Sequence, residues 1–177
     1  RMKFDKKAFA FCLCGFLFTA LLGAASHFFY KWSGNSPVAA LFFPVNESTW
    51  EHLKLVFFPA FTYFGTGAFF MKKTPNYAAA AFFAILSAVL FIPLVFYFYT
   101  AVVGESVLAM DILVFILAVF VGYTAAYYIL TARSRPALNA VSAVGLLILL
   151  ALYLALTYFP PRCFLFRDPV TGGYGIV

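Results

Sequence analysis

Five ionisable side chains have the types and the spacing that site chemistry needs: His27, Glu47, Glu51, His52 and Asp111. Three of them fall in the run Asn46-Glu47-Ser48-Thr49-Trp50-Glu51-His52-Leu53-Lys54, the densest polar stretch of the chain. Glu47 and Glu51 are four apart and share a helical face if the helix begins early enough; His52 follows directly. His27 sits about one turn before the end of one apolar segment, and Asp111 about one turn into another. Imidazoles and carboxylates are the ligand types of zinc and similar divalent ions, and a carboxylate or a bound water then serves acid/base work. The expectation is therefore one polar pocket, with Glu47 and Glu51 as catalytic carboxylates and His27, His52 and Asp111 as ligands of a divalent metal such as zinc. The sequence has no H-E-x-x-H, no nucleophile motif, no Walker loop and no G-x-G-x-x-G after a strand, so no familiar hydrolase or nucleotide chemistry is written in it.

The same residues also have a plainer reading. Ser48 and Glu51 have capping-box spacing, and acids near a helix start complement its dipole, which also covers Asp111. Trp50 reads as an interfacial anchor, and Lys54 as a side chain that snorkels outward or pairs with Glu51. Gly15, Gly23, Gly65, Gly67, Gly122 and Gly145 read as close-packing positions, and Asn139 and Ser142 as interhelical hydrogen-bond partners.

The elements that must position these groups are membrane spans. Of 177 residues, 65% are hydrophobic and 10% charged, with 25 Phe and 11 Tyr. A soluble domain is about half apolar and about a quarter charged. Five segments have the length to cross a bilayer, about residues 8–30, 52–71, 77–103, 107–130 and 138–159. Turn chemistry separates them at Lys72-Lys73-Thr74-Pro75-Asn76, Gly104-Glu105-Ser106 and Arg133-Ser134-Arg135-Pro136. Pro59 and Pro93 lie inside spans and predict kinks. The fold class is thus all-α: one polytopic integral membrane domain with five transmembrane helices.

Lysines before the first apolar run resemble a signal peptide, but that run is too long for one and reads as a retained helix. With the N-terminus inside, the inner segments hold Arg1, Lys3, Lys6, Lys7, Lys72, Lys73, Arg133 and Arg135 against Asp5. The outer segments hold Lys31, Lys54, Arg162 and Arg167 against Glu47, Glu51, Glu105, Asp111 and Asp168. This bias places the N-terminus in the cytoplasm and the C-terminus outside a cell membrane crossed several times. The net charge of +6 is thereby a topology signal, which argues against nucleic acid as a partner. Cys12 and Cys14 diverge by about 200° on a helix and cannot bridge each other, and Cys163 is remote; neither a disulfide framework nor zinc-finger spacing is present.

Between the first two spans, Pro37 to Pro44 is apolar but too short to cross, and predicts a re-entrant or interfacial segment. The tail from Pro160 to Val177 mixes apolar residues with Arg162, Arg167, Asp168 and several turn formers. It is expected to fold back over the outer mouth, with Arg162 or Arg167 answering some of the acids.

The run from Phe43 to Leu55, the preceding Ser26-His27-Phe28-Phe29-Tyr30-Lys31-Trp32-Ser33-Gly34-Asn35 and the tail Asp168-Pro169-Val170-Thr171-Gly172-Gly173-Tyr174-Gly175 resemble a family of small multi-pass bacterial membrane proteins, mostly from Firmicutes, of unknown function. The resemblance covers nearly the whole chain and implies a cell-membrane location without an activity. Three function classes follow from the residues: a metal-dependent membrane enzyme acting on a hydrophobic substrate, a transporter or ligand-binding membrane protein, and a non-catalytic membrane subunit. Membrane lipid is a partner in all three, with a homo-oligomer or a second membrane protein as further expectations.

Overall fold

The computed structural model describes residues 4–71 and 74–176; Arg1, Lys3, Lys72 and Lys73, four of the bases counted above, lie outside them. The described residues form seven helices: α1 Lys6–Ser26, α2 Phe29–Trp32, α3 Pro37–Phe42, α4 Thr49–Gly67, α5 Tyr77–Val103, α6 Leu108–Leu130 and α7 Pro136–Tyr158. No strand occurs among them, only an isolated bridge between Arg167 and Tyr174. Local chemistry sets the ends. The Asp5 carboxylate accepts the Lys7 and Ala8 N–H groups at 2.9 and 3.0 Å, capping α1. Pro37 and Pro136 open α3 and α7, where a missing N–H costs nothing and the fixed φ suits the first turn.

The five long helices alternate in direction, as their contacts show. Along α1 and α4, Gly23 lies on the Leu55 carbonyl, Gly15 on the Tyr63 ring, and Gly67 on the Phe11 ring. Tyr63 Oη donates to the Phe11 carbonyl at 2.7 Å, and Tyr77 at the start of α5 donates to the Phe64 carbonyl near the end of α4 at 2.6 Å. Gly122 of α6 rests on the Ala84 carbonyl of α5, and Gly145 of α7 on the Phe82 ring. Small residues let backbones approach where the hydrophobic effect offers no help between helices. Gly65 is the exception to the expected close packing, because its surroundings are open. Asn139 accepts the Ala79 N–H at 3.1 Å, joining α7 to α5 as an interhelical partner.

Four helices, α1, α5, α6 and α7, are long and apolar enough to cross a membrane, which supports a multi-pass membrane class. The expected count of five is not reached on that criterion, because α4 carries Glu51, His52 and Lys54 in its first two turns. The physical reason is packing. Every residue of α4 from 53 to 60 is buried, whereas most of α7 faces outward, so protein rather than lipid surrounds this part of α4. A helix wrapped by neighbours needs less apolar surface than one bathed in hydrocarbon. The helix also continues through Pro59, as α5 does through Pro93.

At the end where α6 gives way to α7, Asn76 is a hub. Its Nδ2 donates towards the carbonyls of Ile129, Ala132 and Arg133 at 3.2, 3.4 and 3.0 Å, and its Oδ1 accepts the Arg135 N–H at 2.7 Å. The residue itself is in the left-handed region, φ 60°, which Asn adopts more readily than most side chains. At the opposite end α2, α3, the start of α4 and the C-terminal tail converge.

Candidate metal centre

The antiparallel register that seats Gly23 on Leu55 carries residue 27 opposite residue 52 one turn further on. The His27 and His52 rings accordingly lie 5.2 Å apart, centroid to centroid, tilted by 34°. His27 is the residue at which α1 ends, since the helix stops at Ser26 and the chain turns into α2. His52 sits in the first turn of α4, behind the cap where the Ser48 hydroxyl accepts the Glu51 N–H at 3.4 Å. Only half of the expected capping box forms. The Ser48 N–H donates to Asn46 Oδ1 at 2.9 Å, and the Glu51 carboxylate is engaged elsewhere.

Glu47, on the loop between α3 and α4, closes the group. Its Oε2 lies 3.3 Å from His52 Nε2 and its Oε1 3.9 Å from His27 Nε2. One ligand atom from each of His27, Glu47 and His52 lies within 4.8 Å of the others. His52 Nδ1 is 3.0 Å from the Ser48 carbonyl, which can only accept, so Nδ1 carries a hydrogen. Nε2 of a neutral His52 then points a lone pair at a carboxylate oxygen. Two acceptors facing each other at this distance call for a cation between them, either a proton or a metal ion. The His52 contact also holds the Glu47 carboxyl below its usual range, against an opposing push from burial. His27 Nδ1 is buried and has no hydrogen-bond partner. A cavity of about 60 Å³ adjoins His27 and Glu47, room for an ion with water but not for an organic ligand. Glu47 is 44% exposed, which keeps the group open on one side.

The other two expected site residues are held elsewhere. Glu51 Oε2 accepts from Lys54 Nζ at 2.7 Å and from the Val45 N–H at 3.1 Å. Lys54 is fully buried and gives a further bond to the Ala40 carbonyl at 2.9 Å, so it pairs inward rather than snorkelling. These bonds tie α3 and the loop carrying Glu47 to α4. Asp111 accepts from the Tyr99 hydroxyl and, at 2.6 Å, from Ser106. It is not among the residues that share the His27 group.

The tail folds back onto this end, as the sequence led us to expect. Leu165 accepts the Trp50 N–H at 2.9 Å, and Asn46 Nδ2 donates to the Gly175 carbonyl at 2.8 Å. Trp50 is no free anchor: its ring stacks between Tyr153 and Phe166, centroids 4.8 and 4.6 Å away. Among the described residues neither Arg162 nor Arg167 forms an ion pair with an acid; Asp168 is answered instead by the Val170 N–H and the Thr171 hydroxyl within its own turn. Sequence reasoning did not single out the Ser48 carbonyl, although its place four residues before His52 on a helix start was a readable sign.

No curated protein and no solved structure matches the chain. A family model does, over residues 2–176, and the helices, the folded-back tail and the His27–Glu47–His52 group all lie within that span: the chain belongs to DUF6512, a family of unknown function.

Proposed function

We propose that this protein is a five-span membrane enzyme whose extracytoplasmic rim holds a divalent metal ion on His27, Glu47 and His52. The observation that carries the metal reading is His52 bonded through Nδ1 to the Ser48 carbonyl while its Nε2 faces the Glu47 carboxylate at 3.3 Å. Ligands on one tetrahedral zinc, at bonds of about 2.0–2.1 Å, lie about 3.3 Å apart, and a ligating histidine commonly gives its other N–H to a carbonyl. Two histidines and one glutamate leave a fourth position open, the arrangement of catalytic rather than structural zinc.

An ion held there would supply Lewis-acid chemistry and an activated water, the chemistry that hydrolysis of an ester-type substrate needs. In this reading Glu47 is a ligand. Glu51 is a positioning residue, because its buried pair with Lys54 and its bond to Val45 N–H fix the loop that presents Glu47.

Purified protein in detergent, loaded with zinc and freed of excess, is expected to retain one ion per chain. His27→Ala and His52→Ala are expected to lose it, and Asp111→Asn to keep it. Zinc absent from the wild type, or equally retained by all three variants, contradicts the proposal.

Five crossings, with α4 as the protein-wrapped one, are supported by the alternating contacts of the long helices. An inside N-terminus is supported by Lys6, Lys7, Arg133 and Arg135, which gather at the Asn76 end, with the acids other than Asp5 at the other. The exposed Cys163 of the tail is then expected to react with a membrane-impermeant maleimide on intact cells. Labelling only after the membrane is opened reverses the orientation.

A further inference from the structure

Beside the metal group, and separate from its small cavity, runs a cleft of about 410 Å³ between the outer end of α5, the start of α4 and the tail. Its size falls in the range of small-molecule sites, about 300–1,000 Å³. Glu47 lines both the cleft and the small cavity, so an occupant of the first reaches a ligand of the second. The walls are fixed: Thr49 and Tyr97 hydroxyls bond at 2.9 Å, Phe164 packs edge-on against Tyr97 at 5.1 Å, and the Trp50–Leu165 bond pins the tail.

The lining has two characters. Phe96, Tyr97 and Phe164 make an apolar side that continues onto the outward surface of α5, where Leu94 and Phe98 are 73% and 71% exposed. Arg167 lines the other side. Among the described residues its guanidinium has no ion-pair partner, while the neighbouring Asp168 has both carboxylate oxygens satisfied by its own turn. Gly172, at φ +74°, lets the tail turn take the left-handed conformation that places it beside the guanidinium. A charged fork beside an apolar wall that opens towards lipid matches a phosphate joined to acyl chains.

Building on the metal reading for the adjacent site, we infer that the cleft binds an anionic phospholipid, with its phosphate on Arg167 and a chain along Phe96 and Phe164. The glycerol ester region then lies towards Glu47. The occupant enters from the bilayer, as an amphiphile does, and the metal group stands at the junction of its polar and apolar parts.

The test is calorimetric titration of the full chain in detergent, with chelator present so that no metal contributes. The probes are short-chain dihexanoyl phosphatidylglycerol, glycerol 3-phosphate and inorganic phosphate. The lipid is expected to bind at least about tenfold more tightly than either free phosphate, and Arg167→Gln to weaken it by about tenfold or more, the worth of one charge-assisted contact. Arg167→Lys, which keeps the charge but not the fork, should restore only part of the affinity, and Asn76→Ala at the far end of the bundle should leave it unchanged. Equal lipid affinity in the wild type and Arg167→Gln overturns the inference. So does inorganic phosphate binding as tightly as the lipid, which would make the cleft a small-anion site. Lipid binding without zinc uptake removes the metal reading alone; zinc uptake without lipid binding removes this inference alone.

Discussion

The two ends of the bundle each gather polar side chains, and they do so in opposite ways. At one end Asn76 is 4% exposed and meets its bonding capacity on four backbone groups that end α6 and lead into α7. At the other, His27, Glu47 and His52 meet in one group open on one side, with one buried ring nitrogen unanswered. A saturated cluster holds chains together. An unsaturated one of metal-ligand types is what the proposed metal site rests on. Want of a partner is not enough by itself: Trp50 Nε1 and the Tyr153 hydroxyl are also buried and unbonded, yet neither belongs to a group of metal-ligand side chains among the described residues. What distinguishes the His52 end is convergence.

Removing groups from the two clusters should therefore separate stability from binding. The largest effect is expected from Lys54→Met, which strands a buried carboxylate in the scaffold beneath the His27–Glu47–His52 group and should cost about 3–5 kcal/mol in denaturant unfolding. A variant as stable as the wild type would mean that the pair does not hold α3 and the loop in place. Next, Asn76→Ala orphans backbone groups at the far end and should cost about 1–3 kcal/mol while zinc stoichiometry stays as in the wild type. Loss of zinc in that variant would blur the contrast between the ends. The smallest stability change belongs to His27→Ala, whose ring has an unbonded buried nitrogen. Measured without metal, unfolding should shift by less than about 1 kcal/mol, within the ordinary range of a point substitution, although zinc uptake is lost.

Much of this was legible in the sequence, for reasons that can be named. Apolar runs and Gly, Pro and Lys/Arg breaks mark the helices, because bilayer thickness and turn chemistry act residue by residue. The meeting of His27, Glu47 and His52 was also readable, since helices joined by one connection put those ends together. The expected fifth span, α4, falls short of the apolar composition of the other four because its first turns carry Glu51, His52 and Lys54. Glu51 was expected in the pocket from its spacing to Glu47, and Asp111 from its place one turn into a span; the structure gives each a partner that only three-dimensional packing supplies: Lys54 within a closed core, and Tyr99 across the α5–α6 junction. Arg162 or Arg167 was expected to answer some of the acids, whereas the tail turn satisfies Asp168 from its own backbone and Thr171. Asn76 appeared as one residue of a loop; its hub role depends on where α6 ends.

The most direct test is X-ray absorption at the zinc edge on the purified, zinc-loaded protein. Two imidazole nitrogens at about 2.0–2.1 Å, with oxygen completing the shell and no sulfur, are the outcome expected for His27, His52, Glu47 and a water. A sulfur shell at about 2.3 Å, drawn from Cys14 or Cys163, or a shell of oxygen alone, would contradict the site.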